Sequence, residues 1–473
     1  MKKNLQFLLL IYFLFLVIEG KTQEGNYKFE NYGNQTVLLN GNVTGSANDL
    51  GLTFYNPARL ALLDKPSFVI AGKAYEWSKY SFKDVLGTSI YLNTSNFNGI
   101  PSIVAGTFNL KFLPKHKFAF AIISRYRSDI SINYTSGIQE TPEFDPIENE
   151  ARRFTDLGFR KVLRDEWYGI TWSYPIKENF SIGLSLFGSM YRKNGMSKVF
   201  VSAERMDNSV VSYSNNFSYS QKTYGLFLKM GLAWRLSNID IGASFSLPFI
   251  SVKDKASLRS EEFLSGISPE QDYFAFADPG DLENKRRTAA SFSIGAGIPI
   301  GKSTIHLDGS WHSKLDRYQR IVLPEGVAEA TNLDPKPFEE EFESVINFGA
   351  GLDLYVSPSL KIISSFSSDF SARNSSVNLI DVIDQNQSDF KLEDDYWHFG
   401  LGTDLKLKWG HIVLGTTYSS TSNTVVDDID IPDGTPDDGT SDVLTKIKFE
   451  RWRFIIGLEI PILEKKIKGL PAK

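Results

Sequence analysis

The chain has 473 residues, with 51 Lys+Arg against 56 Asp+Glu and a formal charge of −5. That balance argues against a nucleic-acid binder, which carries a basic stripe. The absence of cysteine excludes disulfide scaffolds, thiolate zinc sites and thiol nucleophiles. Aromatic residues make up 13%, too many for a disordered chain, and the several ~20-residue apolar runs of a helical membrane protein are not there.

Lys2 and Lys3 precede the apolar run Phe7–Ile18 and then Gly20-Lys21-Thr22, so residues 1–22 read as a signal peptide. The next segment, 23–65, has no strand period and is rich in Asn, Gly, Thr and Ala. It also carries Leu38, Leu39, Leu50, Leu52, Phe54, Tyr55, Leu60 and Leu62, too apolar for a solvated linker. A plug inside a larger structure accommodates it.

From residue 66 to 462 one unit recurs: long stretches alternating apolar and polar residues. In 396–409, Trp397, Phe399, Leu401, Thr403, Leu405, Leu407 and Trp409 share a face opposite Tyr396, His398, Gly400, Asp404 and Lys406. In 118–134, Phe118, Phe120, Ile122, Tyr126, Ile130, Ile132 and Tyr134 oppose Ala119, Ala121, Arg125, Arg127 and Asp129. A period of two is the strand signal. Strands of this length suit tilted membrane spans better than a soluble sandwich. About fourteen such stretches can be counted, an even number as outer-membrane barrels require.

The connections alternate in length. Short turns such as Ser237-Asn238, Gly301-Lys302 and Ser357-Pro358 exchange with long polar loops at 81–98, 136–163, 204–216, 256–285, 323–340, 374–389 and 426–443. This predicts an all-β, antiparallel transmembrane barrel with its loops on one side. Tyr75, Trp77, Trp167, Tyr168, Trp172, Tyr174, Trp234, Trp311, Trp397, Trp409 and Trp452 would furnish the interfacial girdles.

Chemistry is sparsely signalled. His116, His306, His312, His398 and His411 stand outside any Gly-x-Ser-x-Gly or His-Glu-x-x-His setting, so no enzyme, cofactor or zinc site is expected. His306 and His312 fall at even spacing on one strand. The acidic loop 427–442 misses the EF-hand spacing at Pro432; it reads as self-repelling surface, with calcium left open. The loop 256–285 differs from the others. Its Phe263, Leu264, Ile267, Tyr273, Phe274 and Phe276 form either an admitting surface for an apolar ligand or a lid folded back on the mouth.

Within 23–65 the sequence reads Tyr32-Gly33-Asn34-Gln35-Thr36, Gly45-Ser46-Ala47-Asn48-Asp49 and Phe54-Tyr55-Asn56-Pro57-Ala58. This resembles the N-terminal hatch of FadL-type outer-membrane transporters of long-chain fatty acids and aromatic hydrocarbons. The resemblance implies a hatch-plugged, monomeric fourteen-stranded barrel in the bacterial outer membrane. It implies passive uptake of hydrophobic small molecules, with Asn56, Pro57 and Ala58 as the hatch motif. Asn56-Pro57 should form a rigid turn with Ala58 against the barrel wall, where Ala119, Ala121, Ile123 and Arg125 face the lumen. Two departures stand out: Arg59 where the family usually has Gly, and a tail at 463–473 where many such proteins end on an aromatic residue. The tail keeps a second reading open, a non-transporting barrel subunit docked on a type IX protein-secretion translocon.

Overall fold

The computed structural model describes residues 25–63, 67–85, 88–96, 101–140, 149–324, 338–373, 395–427 and 443–461. The leader 1–22, the tail 463–473 and nearly all of the acidic loop 427–442 lie outside the described residues.

The strands in chain order begin with β1 (Ser67–Val85), β2 (Thr88–Asn96), β3 (Pro101–Phe108), β4 (Lys117–Gln139), β5 (Glu150–Lys177) and β6 (Phe180–Arg205). They continue with β7 (Val210–Leu236), β8 (Ile239–Ser246), β9 (Ile250–Ser265), β10 (Tyr273–Ala277), β11 (Ser291–Ile300), β12 (Ser303–His312) and β13 (Leu315–Gln319). The last are β14 (Glu339–Phe342), β15 (Val345–Ser357), β16 (Leu360–Asp369), β17 (Tyr396–Lys406), β18 (His411–Asp427) and β19 (Val443–Pro461). Neighbours pair antiparallel, and β19 returns to β1 from Ser67 opposite Pro461 to Lys83 opposite Lys446. The ring closes as a 14-strand barrel. Closure joins the first strand to the last, as a lipid environment demands of a spanning sheet.

Three wall positions are each built from two pieces, the third holding β10, which pairs with β9, and β11, which pairs with β8. β2 and β3 both pair with β1, and β8 and β9 both pair with β7. The sequence suggests one continuous strand over 239–255, but Pro248 has no N–H to donate and the ladder breaks at Leu247–Phe249. There the Phe249 amide donates to Thr288 Oγ1 at 2.7 Å, and the Leu247 amide to the Leu228 carbonyl at 2.9 Å.

Alternation sorts the two faces. Trp397, Phe399 and Leu401 are 38–57% exposed on the outside, while Tyr396, His398 and Asp404 are buried in the lumen. Tyr168, Trp234, Trp311, Trp409 and Trp452 also face outward. Trp167 does not join this girdle. It is buried in the lumen, because adjacent residues on a strand point to opposite faces and Tyr168 takes the outer one. Tyr126 departs from the expected outer face as well. A register shift between Ser124 and Tyr126 brings it to the same lumenal cavity as Arg125.

The long-loop side carries more strand than the sequence suggests. Much of 81–98, 136–163 and 204–216 lies in β1, β2, β4, β5, β6 and β7. The ladder continues there with cross-strand pairs such as Arg160–Asp129, Lys198–Asp156 and Arg152–Glu204 on its outer face and buried apolar residues on its inner one. β5, β6 and β7 run 28, 26 and 27 residues, far beyond the ~9–11 of a span. Their projecting ends close over a cluster of Leu157, Val199, Val201, Val211, Tyr213 and Leu264. The separate β13–β14 hairpin is anchored through Glu340 to Lys193, Arg320 and Arg373. Burial pushes the Glu340 carboxyl up, but these three cations outweigh it and hold it at about 2.

The outer belt gives a direct test. Leu401, 57% exposed on β17, replaced by Lys should destabilise the barrel by about 2–4 kcal/mol if it sits near the bilayer midplane. Urea unfolding in lipid vesicles reads this, and an unchanged midpoint would contradict the assignment of faces.

Candidate functional site

Residues 25–63 lie inside the barrel, and their backbone pairs with no strand of the wall. Their peptide groups find partners by other means. One carboxylate organises the interior of the segment: Asp49 accepts from the amides of Asn34 (2.8 Å), Thr36 (2.9 Å) and Gly51 (2.7 Å). This ties its first half to its second. A single helical turn, α1 (Leu52–Tyr55), then leads to Asn56 and the 3₁₀ turn Pro57–Leu62.

At the motif, Pro57 stands at the first position of the turn, where its missing N–H costs nothing. It also keeps Asn56 extended, at φ −153° and ψ 99°. The fully buried Asn56 uses its whole amide: Oδ1 accepts from the Ala58 N–H (3.1 Å), and Nδ2 donates to the carbonyls of Thr44 (2.8 Å) and Leu232 (2.9 Å). The Ala58 carbonyl accepts from Ser173 Oγ (3.0 Å) and Ser181 Oγ (2.8 Å). Arg59, where the family usually has Gly, is buried. It pairs with Asp240 at 3.0 Å and donates to the Ala47 carbonyl and Asn48 Oδ1.

The motif's closest approach to the wall is at β6, β7 and β8. A Cβ at Gly183 would lie 2.4 Å from the Ala58 nitrogen, one at Gly231 2.2 Å from Asn56 Oδ1, and one at Gly242 2.2 Å from the Thr44 oxygen. Only glycine admits this contact. Ala119, Ala121 and Ile123 of β4 are buried in the same cluster as the lumenal segment, but these three glycines, not the alanines, receive the motif.

Elsewhere the wall also supplies side chains. Asp369 accepts from the amides of Tyr27 and Lys28, Ser365 Oγ donates to the Leu38 carbonyl at 2.6 Å, and Asp308 accepts from the Thr44 amide at 3.0 Å. His306 meets Ser46 Oγ at 2.7 Å. His312, further along β12, stacks on Tyr27 at 3.8 Å between ring centroids. Glu30 bridges Lys73 and Arg453, and the guanidiniums of Arg451 and Arg453 donate to the Phe29 carbonyl.

Beside this packed segment lies a cavity of about 130 Å³. Phe54 and Tyr55 of α1 contribute one side and Trp167, Phe227, Arg125 and Lys229 of the wall another. Trp167 stacks on Phe227 at 4.2 Å, and Phe227 meets Phe249 at 5.0 Å. Ser244, Ser246 and Leu247 bring the lining to the β8–β9 break.

The admitting-loop residues divide. Leu264 is buried in the cluster of the projecting strands and Ile267 packs against it, while Phe263 is half-buried. On β10, Tyr273, Phe274 and Phe276 are 36%, 70% and 47% exposed, with the Tyr273 hydroxyl donating to Glu262. The sequence reading missed Trp167, Phe227 and Lys229 as cavity residues. Alternation in β7 would have found the latter two, since Leu226, Met230, Leu232 and Trp234 mark the opposite face.

The closed barrel, its apolar outer belt and its filled lumen define an outer-membrane β-barrel. Solved structures share this fold. A Pseudomonas aeruginosa FadL homologue aligns over 93% of this chain and all of its own, at TM-score 0.55 and 10% identity. The P. putida toluene transporter TodX aligns over 92% and 99%, at 0.55 and 13%. The Ralstonia pickettii toluene transporter TbuX aligns over 92% and 99%, at 0.51 and 9%. No family model and no curated protein matches the sequence. The fold is that of the FadL-type transporters.

Asn56→Ala strands buried partners of the amide and should loosen the segment by about 1–3 kcal/mol. Hydrogen exchange at 52–62 should accelerate while heat-modifiable gel mobility stays normal, because the wall's ladders are untouched. Failure to assemble, or unchanged exchange, would contradict this.

Proposed function

We propose that the protein is a passive outer-membrane channel for small hydrophobic molecules, with residues 25–63 as its hatch. One observation carries the reading: an aromatic-lined cavity lies against a segment held in the lumen by side-chain hydrogen bonds and ion pairs, not by strand pairing. Such contacts contribute ~1 kcal/mol each and are exchanged singly, whereas the wall's ladder must stay whole in lipid. The hatch can therefore rearrange within an intact barrel. Apolar solutes of the class carried by the TodX and TbuX toluene transporters would be desolvated in the cavity and released when the hatch shifts. No chemical step is needed, and the aromatic cavity supports transport over catalysis. The tail that keeps a secretion-subunit reading open lies outside the described residues, and no observation among the described residues favours that reading.

Labelled toluene and laurate should enter cells producing the protein several-fold faster than cells lacking it, with uptake of a polar sugar unchanged. Equal rates for both apolar probes would overturn the proposal.

A further inference from the structure

The cavity is not purely apolar, and its charges do not balance. Two carboxylates and three cations reach it. Asp308 pairs with Lys28, and Glu30 is held by Lys73 and Arg453. Arg125 and Lys229 are left. The Arg125 guanidinium donates to the Tyr32 hydroxyl at 3.0 Å and lies 5.4 Å from the Phe54 ring centre. Lys229 Nζ sits 4.0 Å from the centre of that same ring. Among the described residues Lys229 has no carboxylate partner, and Arg125 is the charged group that acts on it. Two acids act on Arg125, and both are engaged by other cations: Asp165 by Arg286 at 2.6 Å and Glu30 by Lys73 and Arg453. Two like charges thus share one aromatic ring beside an apolar wall, where water cannot screen them as it would outside.

Such an arrangement is complementary to an anion with a flat apolar body. A carboxylate would neutralise the pair through charge-assisted hydrogen bonds, and an aromatic ring would lie among Trp167, Phe227 and Phe54. Size limits the apolar body to a single ring: a cavity of about 150 Å³ admits benzene, and this one measures about 130 Å³ and is partly open, so the carboxylate has to lie on the open side, against Lys229 and Arg125. We propose that the site selects a monoaromatic carboxylate over a neutral hydrocarbon, with Lys229 and Arg125 as the anion clamp. The inference rests on the channel reading and names its substrate class. It also gives the hatch a trigger, because an anion that draws Lys229 away from Phe54 releases a contact between the wall and α1.

Calorimetry on the full-length barrel in lipid nanodiscs, with benzoate and toluene as probes, tests this. Benzoate should bind at least about tenfold more tightly than toluene. Lys229→Met should weaken benzoate at least about tenfold, and Lys229→Arg, which keeps the charge, should restore most of that loss. Toluene binding as tightly as benzoate, or Lys229→Met leaving benzoate unchanged, overturns the clamp. The comparison of probes on the unmodified protein decides even if a variant does not assemble. If toluene or laurate binds while benzoate does not, the clamp falls and the channel reading stands. If none of the three binds or crosses, both fall.

Discussion

Backbone polar groups set the terms for this molecule. Within a membrane every peptide N–H and C=O needs a partner, and the wall meets that demand by closing its ladder from β19 to β1. Residues 25–63 use a different solution and pair with no wall strand. Their groups are met by the segment's own turns and by inward side chains: Ser173 and Ser181 on the Ala58 carbonyl, Asp369 on the Tyr27 and Lys28 amides, Ser365 on the Leu38 carbonyl. The abundance of Ser, Asp and Asn on the lumenal faces follows from this.

The two modes of bonding differ in cooperativity. A ladder strand leaves only with all its bonds, while a side-chain bond to a carbonyl can open alone. Geometry adds a second restriction at the motif, where Gly183, Gly231 and Gly242 bring the wall's backbone against Asn56-Pro57-Ala58. Close contact without cross-strand pairing leaves residues 25–63 well packed against the wall yet outside its ladder. The cavity beside it joins segment and wall, with Phe54 from the segment near Arg125 and Lys229 from the wall.

Much of this was legible in the sequence because membrane strands repeat one rule many times. The alternation of Trp397, Phe399 and Leu401 against Tyr396 and His398 assigned the faces of β17, whereas the break between β8 and β9 at Pro248 was read through as one strand. What escaped depends on local register or on distant partners. Tyr126 turns inward through a shift that a strict period of two cannot anticipate. Trp167 was grouped with Tyr168 although neighbours cannot share a face. The meeting of Asn56 with Gly231 joins residues far apart in the chain, so the strand facing the motif could not be read from it. Conversely, β5 to β7 outran the expected loops because Val199, Val201, Val211 and Tyr213 keep a buried inner face among polar neighbours that read as loop.

The central claim is that the lumenal segment must move for solute to pass. The chain has no cysteine, so a designed pair is clean: Ser46→Cys with His306→Cys, whose native side chains meet at 2.7 Å, can be joined between segment and wall by a short bis-thiosulfonate cross-linker that reducing agent removes. Toluene uptake should fall to the level of cells lacking the protein when the pair is cross-linked and recover on reduction. Uptake at the same rate with the cross-link complete would contradict the account.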